Sequence, residues 1–416
     1  MNSKSISPPL KVIIIGAGIA GLSAAIALGK QGHDVVILEK SRFAKETGAA
    51  IHLPPNCTAL LTWMDINPED FGGTLLREMH RYRHEGDLKY IKDFAEMRKA
   101  WQSEWYLVHR VDLHNHLKGV ALETTVIHTG CKIVDVNTED RRVILDDGRE
   151  FTADLLLGAD GAHSTFRSHI APGSANPYPT GKACFRWLIP VQSLAQSEYT
   201  REFVQKPGVF IEWAADDRRL VAYPCSDNTV FNLAGFVPTA EAGVQDMSEE
   251  KGWQITGSKD ALAQSFAQFS PRVRELINLA EDNLKVWQLY DMGSLTTWVK
   301  GRAALIGDAA HPFQPYMGQG GAMAIEDAVS IAILLPRDTT IDDIPARLRL
   351  YELARRSRVE KVLEYTRMNG RDENDLTGPR MSPADMVQFL RMCFAHNEIE
   401  NSGDLLARYR AGQLSI

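Results

Sequence analysis

Val12–Glu39 reads VIIIGAGIAGLSAAIALGKQGHDVVILE. Its first residues, Val12–Ile15, are a β-branched strand signal that runs straight into Gly16-Ala17-Gly18-Ile19-Ala20-Gly21. The Ala- and Leu-rich run Leu22–Gln31 predicts a helix closed at Gly32, and Val35–Leu38 predicts a second strand ending on Glu39 and Lys40. Strand, glycine turn, helix, strand and acid are the parts of a dinucleotide-binding crossover. Gly16 would make the tight turn, Gly18 would let backbone approach a pyrophosphate, and Gly21 would let the helix pack closely on the strand. Glu39 can accept hydrogen bonds from an adenosine ribose. These residues do not distinguish NAD from FAD.

A second stretch, Gly301–Gly321, reads GRAALIGDAAHPFQPYMGQGG. A short apolar run ends in Gly307-Asp308, a Pro- and Gly-rich turn follows, and Gly320–Leu335 carries helical spacing at Ala322, Ile325, Val329 and Ile333. A carboxylate at a strand end can hold a polyol hydroxyl. A glycine loop opening a helix offers backbone N–H groups and a positive dipole end to an electron-rich group. A third stretch, Asp154–Gly161, is a further buried strand ending in Asp160-Gly161, with Ser164 and Arg167 on a short helix beyond it.

Between these stretches the texture changes. Glu46–Asn56 reads as a Gly/Pro-rich connection before a helix at Cys57–Met64, and Phe71–Trp101 is irregular and charged. His80 and His84 have no fuller ligand set around them, so no metal is expected. Arg110 starts a helix, where it would face a phosphate or flavin edge or simply pair with Asp112. Strands at Thr125–His128, Lys132–Asp135 and Val143–Leu145 precede an Asp146-Asp147-Gly148 hairpin turn. Ala183–Ile189, Gly208–Trp213, Leu220–Pro224 and Val230–Val237 suggest an inserted antiparallel sheet, the place to build a substrate pocket. Ser248–Leu279 reads as helical with a break at Ser270-Pro271. Thr340–Arg371 reads as a charged helical tail whose Arg355-Arg356-Ser357-Arg358 is a solvated face.

The 46 basic and 53 acidic residues leave a net charge of −7, which argues against nucleic acid as a main partner. No apolar run reaches membrane-spanning length, and Met1–Lys11 lacks the apolar stretch of a secretory signal. The five cysteines are scattered, without a CxxC pair. A soluble cytoplasmic protein, monomeric or homodimeric, is expected.

GAGIAG at Gly16–Gly21, LLLGADGAHSTFR at Leu155–Arg167 and LIGDAAHPFQPYMGQGG at Leu305–Gly321 occur in an order that resembles the group A flavoprotein aromatic hydroxylases, in particular the salicylate-hydroxylase-like branch. Trp298, Gly301-Arg302 and the HRVDL stretch fit it too. The resemblance spans Lys11–Leu335 and implies an α/β fold with a Rossmann-like FAD-binding domain, an inserted antiparallel substrate domain and a C-terminal helical tail. The expected boundaries are 1–75, 102–178 and 285–335 for the FAD-binding domain, 76–101 and 179–284 for the substrate domain, and 336–416 for the tail.

The resemblance further implies one extended FAD site. Gly16, Gly18, Ala20 and Gly21 would lie along the pyrophosphate, Glu39 and Lys40 at the adenosine ribose, and Arg110 near the flavin or its ribityl–phosphate chain. Asp160 and Gly161 match the segment used around both FAD and NAD(P)H. Asp308 would bind the ribityl or pyrophosphate region, and Pro315, Gly318, Gly320 and Gly321 would pass the isoalloxazine ring. NAD(P)H would be a transient co-substrate. O2 would yield a flavin C4a-hydroperoxide that transfers oxygen to an aromatic or phenolic substrate.

A single GxGxxG and no CxxxxC pair argue against a reductase of the disulfide kind. Hydroxylation of a phenol is easier from the phenolate, so a cation or base near the hydroxyl is expected. Arg186 could stabilise a phenolate or carboxylate; Tyr223 could orient or deprotonate a hydroxyl. Arg219 lies on the same strand face as Tyr223 by alternation. Phe210, Trp213, Phe231 and Phe236 are expected to be mostly core, with one or two lining the pocket, and His311 to support its loop. Same-scaffold dearomatisation, decarboxylative hydroxylation or epoxidation of a polyketide or terpenoid are alternatives. An FAD oxidase or dehydrogenase without external NAD(P)H is the alternative from another class.

Overall fold

The β-branched runs around the glycine motifs assemble into one sheet, in a computed structural model that describes residues 8–43, 49–174, 176–244, 255–282, 284–372 and 374–416. Its strand order is Val299–Lys300, Ala303–Leu305, Leu155–Gly158, Lys11–Ile15, Asp34–Glu39, Val126–Thr129. All neighbours are parallel except the first pair. Parallel strands buried on both faces carry unbroken apolar runs rather than alternation, and this is what Val12–Ile15 and Leu155–Leu157 show. The helices Ile19–Lys30 and Gly320–Leu334 pack on each other. They bring the first and last glycine motifs side by side.

A second sheet has seven strands, in the order Lys285–Asp291, Tyr178–Pro190, Val230–Pro238, Arg219–Cys225, Val209–Ala214, Glu78–Arg83, Leu88–Asp93. It is antiparallel except where Val209–Ala214 runs parallel to Glu78–Arg83. Period-2 alternation gives this sheet two different faces. Phe185, Trp187, Ile211, Trp213 and Leu233 point one way into an apolar cluster, covered by the helices Lys259–Ser265 and Pro271–Asn278. Arg186, Phe210, Tyr223, Asn232 and Phe236 belong to the opposite register and face the first sheet. Of the four aromatics expected in the core, Trp213 and Phe231 are on the closed face, while Phe210 and Phe236 lie on the other.

Two readings ahead of the tail change with the structure, and the break at Ser270-Pro271 is borne out. Residues Ala50–Leu53, within the supposed connection Glu46–Asn56, are a strand paired with Tyr106–His109; residues 46–48 lie outside the described part. The irregular Phe71–Trp101 segment contributes two strands to the second sheet. Of the helical reading over Ser248–Leu279, residues 248–254 are outside the described part, and the rest holds the two helices already given.

The charged tail is a 27-residue helix, Ile344–Gly370, followed by Pro383–Phe394 and Glu398–Arg410. Arg355-Arg356-Ser357-Arg358 is not a solvated face. Arg355 is 0% exposed and Arg358 is 9% exposed. Three buried carboxylates from other helices hold them, so charge pairing decides the facing of this stretch where apolar periodicity does not. No helix among the described residues is long and apolar enough to cross a membrane.

Candidate active site

The Gly16 turn is built by close contacts. At φ +104°, a Cβ on Gly16 would come within 2.5 Å of the Ala159 carbonyl oxygen, so the Asp160 segment sits directly behind the turn. A Cβ on Gly21 would come within 2.0 Å of the Gly16 carbonyl oxygen, which seats the helix on the turn. A Cβ on Gly18, by contrast, would meet nothing within 4 Å. The Ile19–Lys30 helix has neither a side-chain cap nor an acid in its first turn, so its positive end faces that open space. Glu39 is buried, its carboxylate accepting from the Ala17 N–H at 2.7 Å and the Ser41 N–H at 2.6 Å. Lys40 beside it is exposed. Asp160 closes the turn into the next helix by accepting from the Thr165 and Phe166 N–H groups, with its other oxygen buried and unpartnered.

The Gly307–Gly321 loop meets the first turn: a Cβ on Gly307 would stand 2.8 Å from that of Ala20. Asp308 is surrounded by protein yet keeps an exposed side chain, the geometry of a group lining a cleft. Burial raises its carboxyl above the usual range, partly offset by the nearby His311, Arg110 and Arg167 charges. Arg167 donates to the carbonyls of Asp308 and Ala309 and so ties the Asp160 segment to this loop. Asp112, in the same helical turn as Arg110, accepts from Ser226 Oγ at 2.9 Å. Pro315 opens a short turn, and Gly320 and Gly321 open the helix Gly320–Leu334, whose first turn again has no acid and no side-chain cap.

A buried ion network holds that loop. Asp327 Oδ2 accepts from the Gly307 N–H at 2.9 Å and meets His311 Nε2 at 2.6 Å, while its Oδ1 accepts from Arg355 Nε at 2.9 Å. Arg355 also reaches Glu326 and Glu398, and Arg358 reaches Glu326. Burial alone would raise the Glu326 and Asp327 carboxyls. Arg358 and Arg355 overcome this for Glu326, and His311 and Arg355 for Asp327, so both lie below the usual range. Glu326, Glu398 and His396 come close enough to hold an ion, but the two guanidinium groups already occupy the carboxylates.

Opposite the loop, three strands of the second sheet converge on one residue, Ala50. Ala50 donates its N–H to Asn232 Oδ1 at 2.9 Å, and its carbonyl accepts from Tyr223 OH at 2.8 Å and Arg186 Nη1 at 3.2 Å. Burial keeps the Tyr223 phenol far above its ordinary pKa, and its proton is committed to Ala50. Of its two expected roles, this arrangement, with the hydroxyl held by the backbone, suits orienting a substrate. Arg186 lies over the Trp287 ring at 5.0 Å. Arg219 does share a face with Tyr223, but it is pinned by the Asn369 carbonyl, the Tyr316 ring and Glu212.

Sequence reasoning missed His52, Asn232 and Tyr316. His52 packs edge-on to Tyr223 at 4.9 Å, and a Cβ on Gly318 would lie 3.1 Å from it, so the glycine loop passes against its ring. Burial, then the Arg186 charge, pushes its pKa down to about 4. Three buried atoms around Ala50 have no hydrogen-bond partner: His52 Nδ1, Arg186 Nε and Asn232 Nδ2.

The open space at Gly18, two uncapped helix starts and a cleft-lining Asp308 fit an extended dinucleotide with a polyol chain. Comparison with known proteins agrees. A family model described as an FAD binding domain matches residues 134–366, and one for FAD-dependent oxidoreductases matches 11–52. The chain is 34% identical to hispidin-3-hydroxylase of Neonothopanus nambi, over 85% of this chain and 86% of that one. It is 31% identical to 3-hydroxybenzoate 6-hydroxylase 1 of Aquipseudomonas alcaligenes, over 94% and 98%. A salicylate hydroxylase solved with its substrate superposes with a TM-score of 0.78 at 24% identity, covering 96% of this chain and 98% of that one.

Proposed function

We propose a substrate class and residue roles from the premise that this chain belongs to the FAD-binding-domain family of aromatic hydroxylases. It is an FAD-dependent monooxygenase, with NAD(P)H as the family's co-substrate. The substrate is a hydroxylated aromatic ring, taken into the cleft between the Gly307–Gly321 loop and the open face of the second sheet. One observation carries this reading: three buried polar atoms without partners, His52 Nδ1, Arg186 Nε and Asn232 Nδ2, gather at Ala50 beside the Phe210, Tyr223 and Trp287 rings.

FAD, when bound, supplies the activation of O2. The protein supplies position and exclusion of water. Gly16, Gly18 and Gly21 hold the pyrophosphate, Glu39 the adenosine ribose, and Asp308 with Arg110 the chain that leads to the flavin ring. Pro315–Gly321 would lie beside that ring, and the uncapped helix start that follows would favour negative charge there. Phe210, Phe236 and Trp287 stack around the substrate, and Arg186 meets its oxygen. Tyr223 stays protonated and keeps Ala50, and with it His52, in place.

The test is NADH and NADPH oxidation by the FAD-loaded protein with hispidin, 3-hydroxybenzoate and salicylate in turn. Oxidation stimulated by at least one of the three, with one oxygen atom from labelled O2 in its product, is expected. Substrate oxidation that proceeds as fast without NAD(P)H would sink the reading.

A further inference from the structure

Every unpartnered buried side-chain atom that the second sheet sends to Ala50 is a donor. Arg186 Nε and Asn232 Nδ2 carry protons and no lone pair for accepting. The acceptors nearby are spent. The Ala50 carbonyl takes Tyr223 and Arg186, and Glu212 is held by Arg81 at 2.8 Å and Arg219 at 3.8 Å. Among the described residues no carboxylate pairs with Arg186 within 4.0 Å, in contrast to Arg219 on the same face, which meets Glu212 at 3.8 Å. The groups that face Arg186 are His52, Tyr223, Cys184 and the Trp287 ring, none of them anionic at neutral pH.

The same groups offer no base for a substrate hydroxyl. Tyr223 keeps its proton on Ala50, and His52 is neutral but too weakly basic to take a proton from an ordinary phenol, whose hydroxyl titrates near pH ~10. A positive floor without a base stabilises an anion that arrives as one.

We propose that the cleft selects substrates whose hydroxyl ionises unaided near neutral pH, an acidic enol or a phenol bearing an electron-withdrawing group, bound as the anion against Arg186. This deepens the monooxygenase reading and rests on it. Arg186 then does two things at once. It neutralises the bound oxygen, and it leaves the ring in the electron-rich form that an electrophilic oxygen attacks. Phenols that ionise only in alkali are poor substrates at pH 7, and their turnover rises with pH until the hydroxyl titrates.

The experiment uses 4-nitrophenol, whose anion is yellow, and 4-nitroanisole, its O-methyl ether, which cannot ionise. Binding of both to oxidised, FAD-loaded enzyme is measured without NAD(P)H. The phenol is expected to bind at least tenfold more tightly, and as the yellow anion even below its free pKa. Arg186→Gln should lose that preference and Arg186→Lys should keep most of it. Equal affinity for the two compounds, affinity for neither, or a colourless bound phenol overturns the proposal in the wild type alone. Absence of substrate-stimulated NAD(P)H oxidation across the panel above, with the anion still bound, would instead defeat the hydroxylase substrate reading.

Discussion

Around Asp327 each buried charge has an opposite charge beside it; around Ala50, Arg186 has none. Both regions meet the Gly307–Gly321 loop, and both are built from residues far apart in sequence. The first spends its polar groups on one another: Arg355 alone reaches Asp327, Glu326 and Glu398. The second leaves Arg186 Nε and Asn232 Nδ2 without acceptors. Unpaired buried donors cost on the order of 1–3 kcal/mol each in a folded chain, a cost that a bound acceptor would relieve. Pairing marks the part that holds the cofactor loop in shape. Its absence at Arg186 is what the proposed substrate anion would complete.

Breaking the paired side should have the largest effect. Arg355→Met removes the cation shared by three buried carboxylates, and loss of one partner from such a cluster costs about 3–5 kcal/mol. Thermal unfolding should begin many degrees lower, and flavin content per protein should fall with it, since Asp327 also holds the Gly307 N–H. The sign of the pH dependence follows from the carboxylates. Glu326 and Asp327 have folded pKa values below their ordinary 4.5 and 3.8, so their contribution is full above those values. It is lost as pH falls through the lower folded values. Wild type should therefore lose stability steeply below about pH 4, and Arg355→Met should show a shallower acid slope. An Arg355→Met protein with wild-type melting and flavin content would break the comparison.

How much of this was legible follows the same division. Gly16–Glu39 and Leu155–Asp160 were readable because a parallel sheet needs continuous apolar runs and a turn without side chains, and both are local patterns. The ion network was not. Arg355-Arg356-Ser357-Arg358 looks solvated until Glu326, Asp327 and Glu398 are brought to it, from 28 to 43 residues away. Ala50–Leu53 was hidden for another reason: its neighbours Gly48, Pro54 and Pro55 suggest a loop, and its pairing partner Tyr106–His109 lies beyond a whole hairpin of the second sheet. His52 went unseen with it. Arg186 and Tyr223 were found because the inserted strands alternate, but the peptide that both of them hold is a tertiary fact.

Asp308 separates the two sides within one loop. Its backbone belongs to the paired region, while its carboxylate faces the cleft with a raised pKa. A carboxyl whose folded pKa lies above its unfolded one binds protons more readily in the fold. It therefore costs stability once pH rises through that window. Asp308→Asn should leave the flavin-free protein at least as stable at pH 7 as wild type, yet weaken FAD binding by tenfold or more, read by flavin released on dilution. Full flavin retention in Asp308→Asn would remove this residue from the cofactor site.

Tyr223→Phe tests the unpaired side with the smallest perturbation. The change removes one hydrogen bond, from a hydroxyl to the Ala50 carbonyl at 2.8 Å, and leaves the ring packed against Phe210 and His52. The Ala50 carbonyl still accepts from Arg186, so the stability cost should be about 1 kcal/mol and flavin content should be unchanged. What should change is the position of Arg186, which is then the sole donor left on that carbonyl and is drawn more fully toward it. A guanidinium drawn to a peptide is less available to a substrate anion. NAD(P)H oxidation should therefore continue at a similar rate while product formed per NAD(P)H falls several-fold, the remainder appearing as hydrogen peroxide. An unchanged product ratio would show that Tyr223 holds only the strand and not the substrate, and that the two sides of the cleft are less distinct than their hydrogen bonds imply.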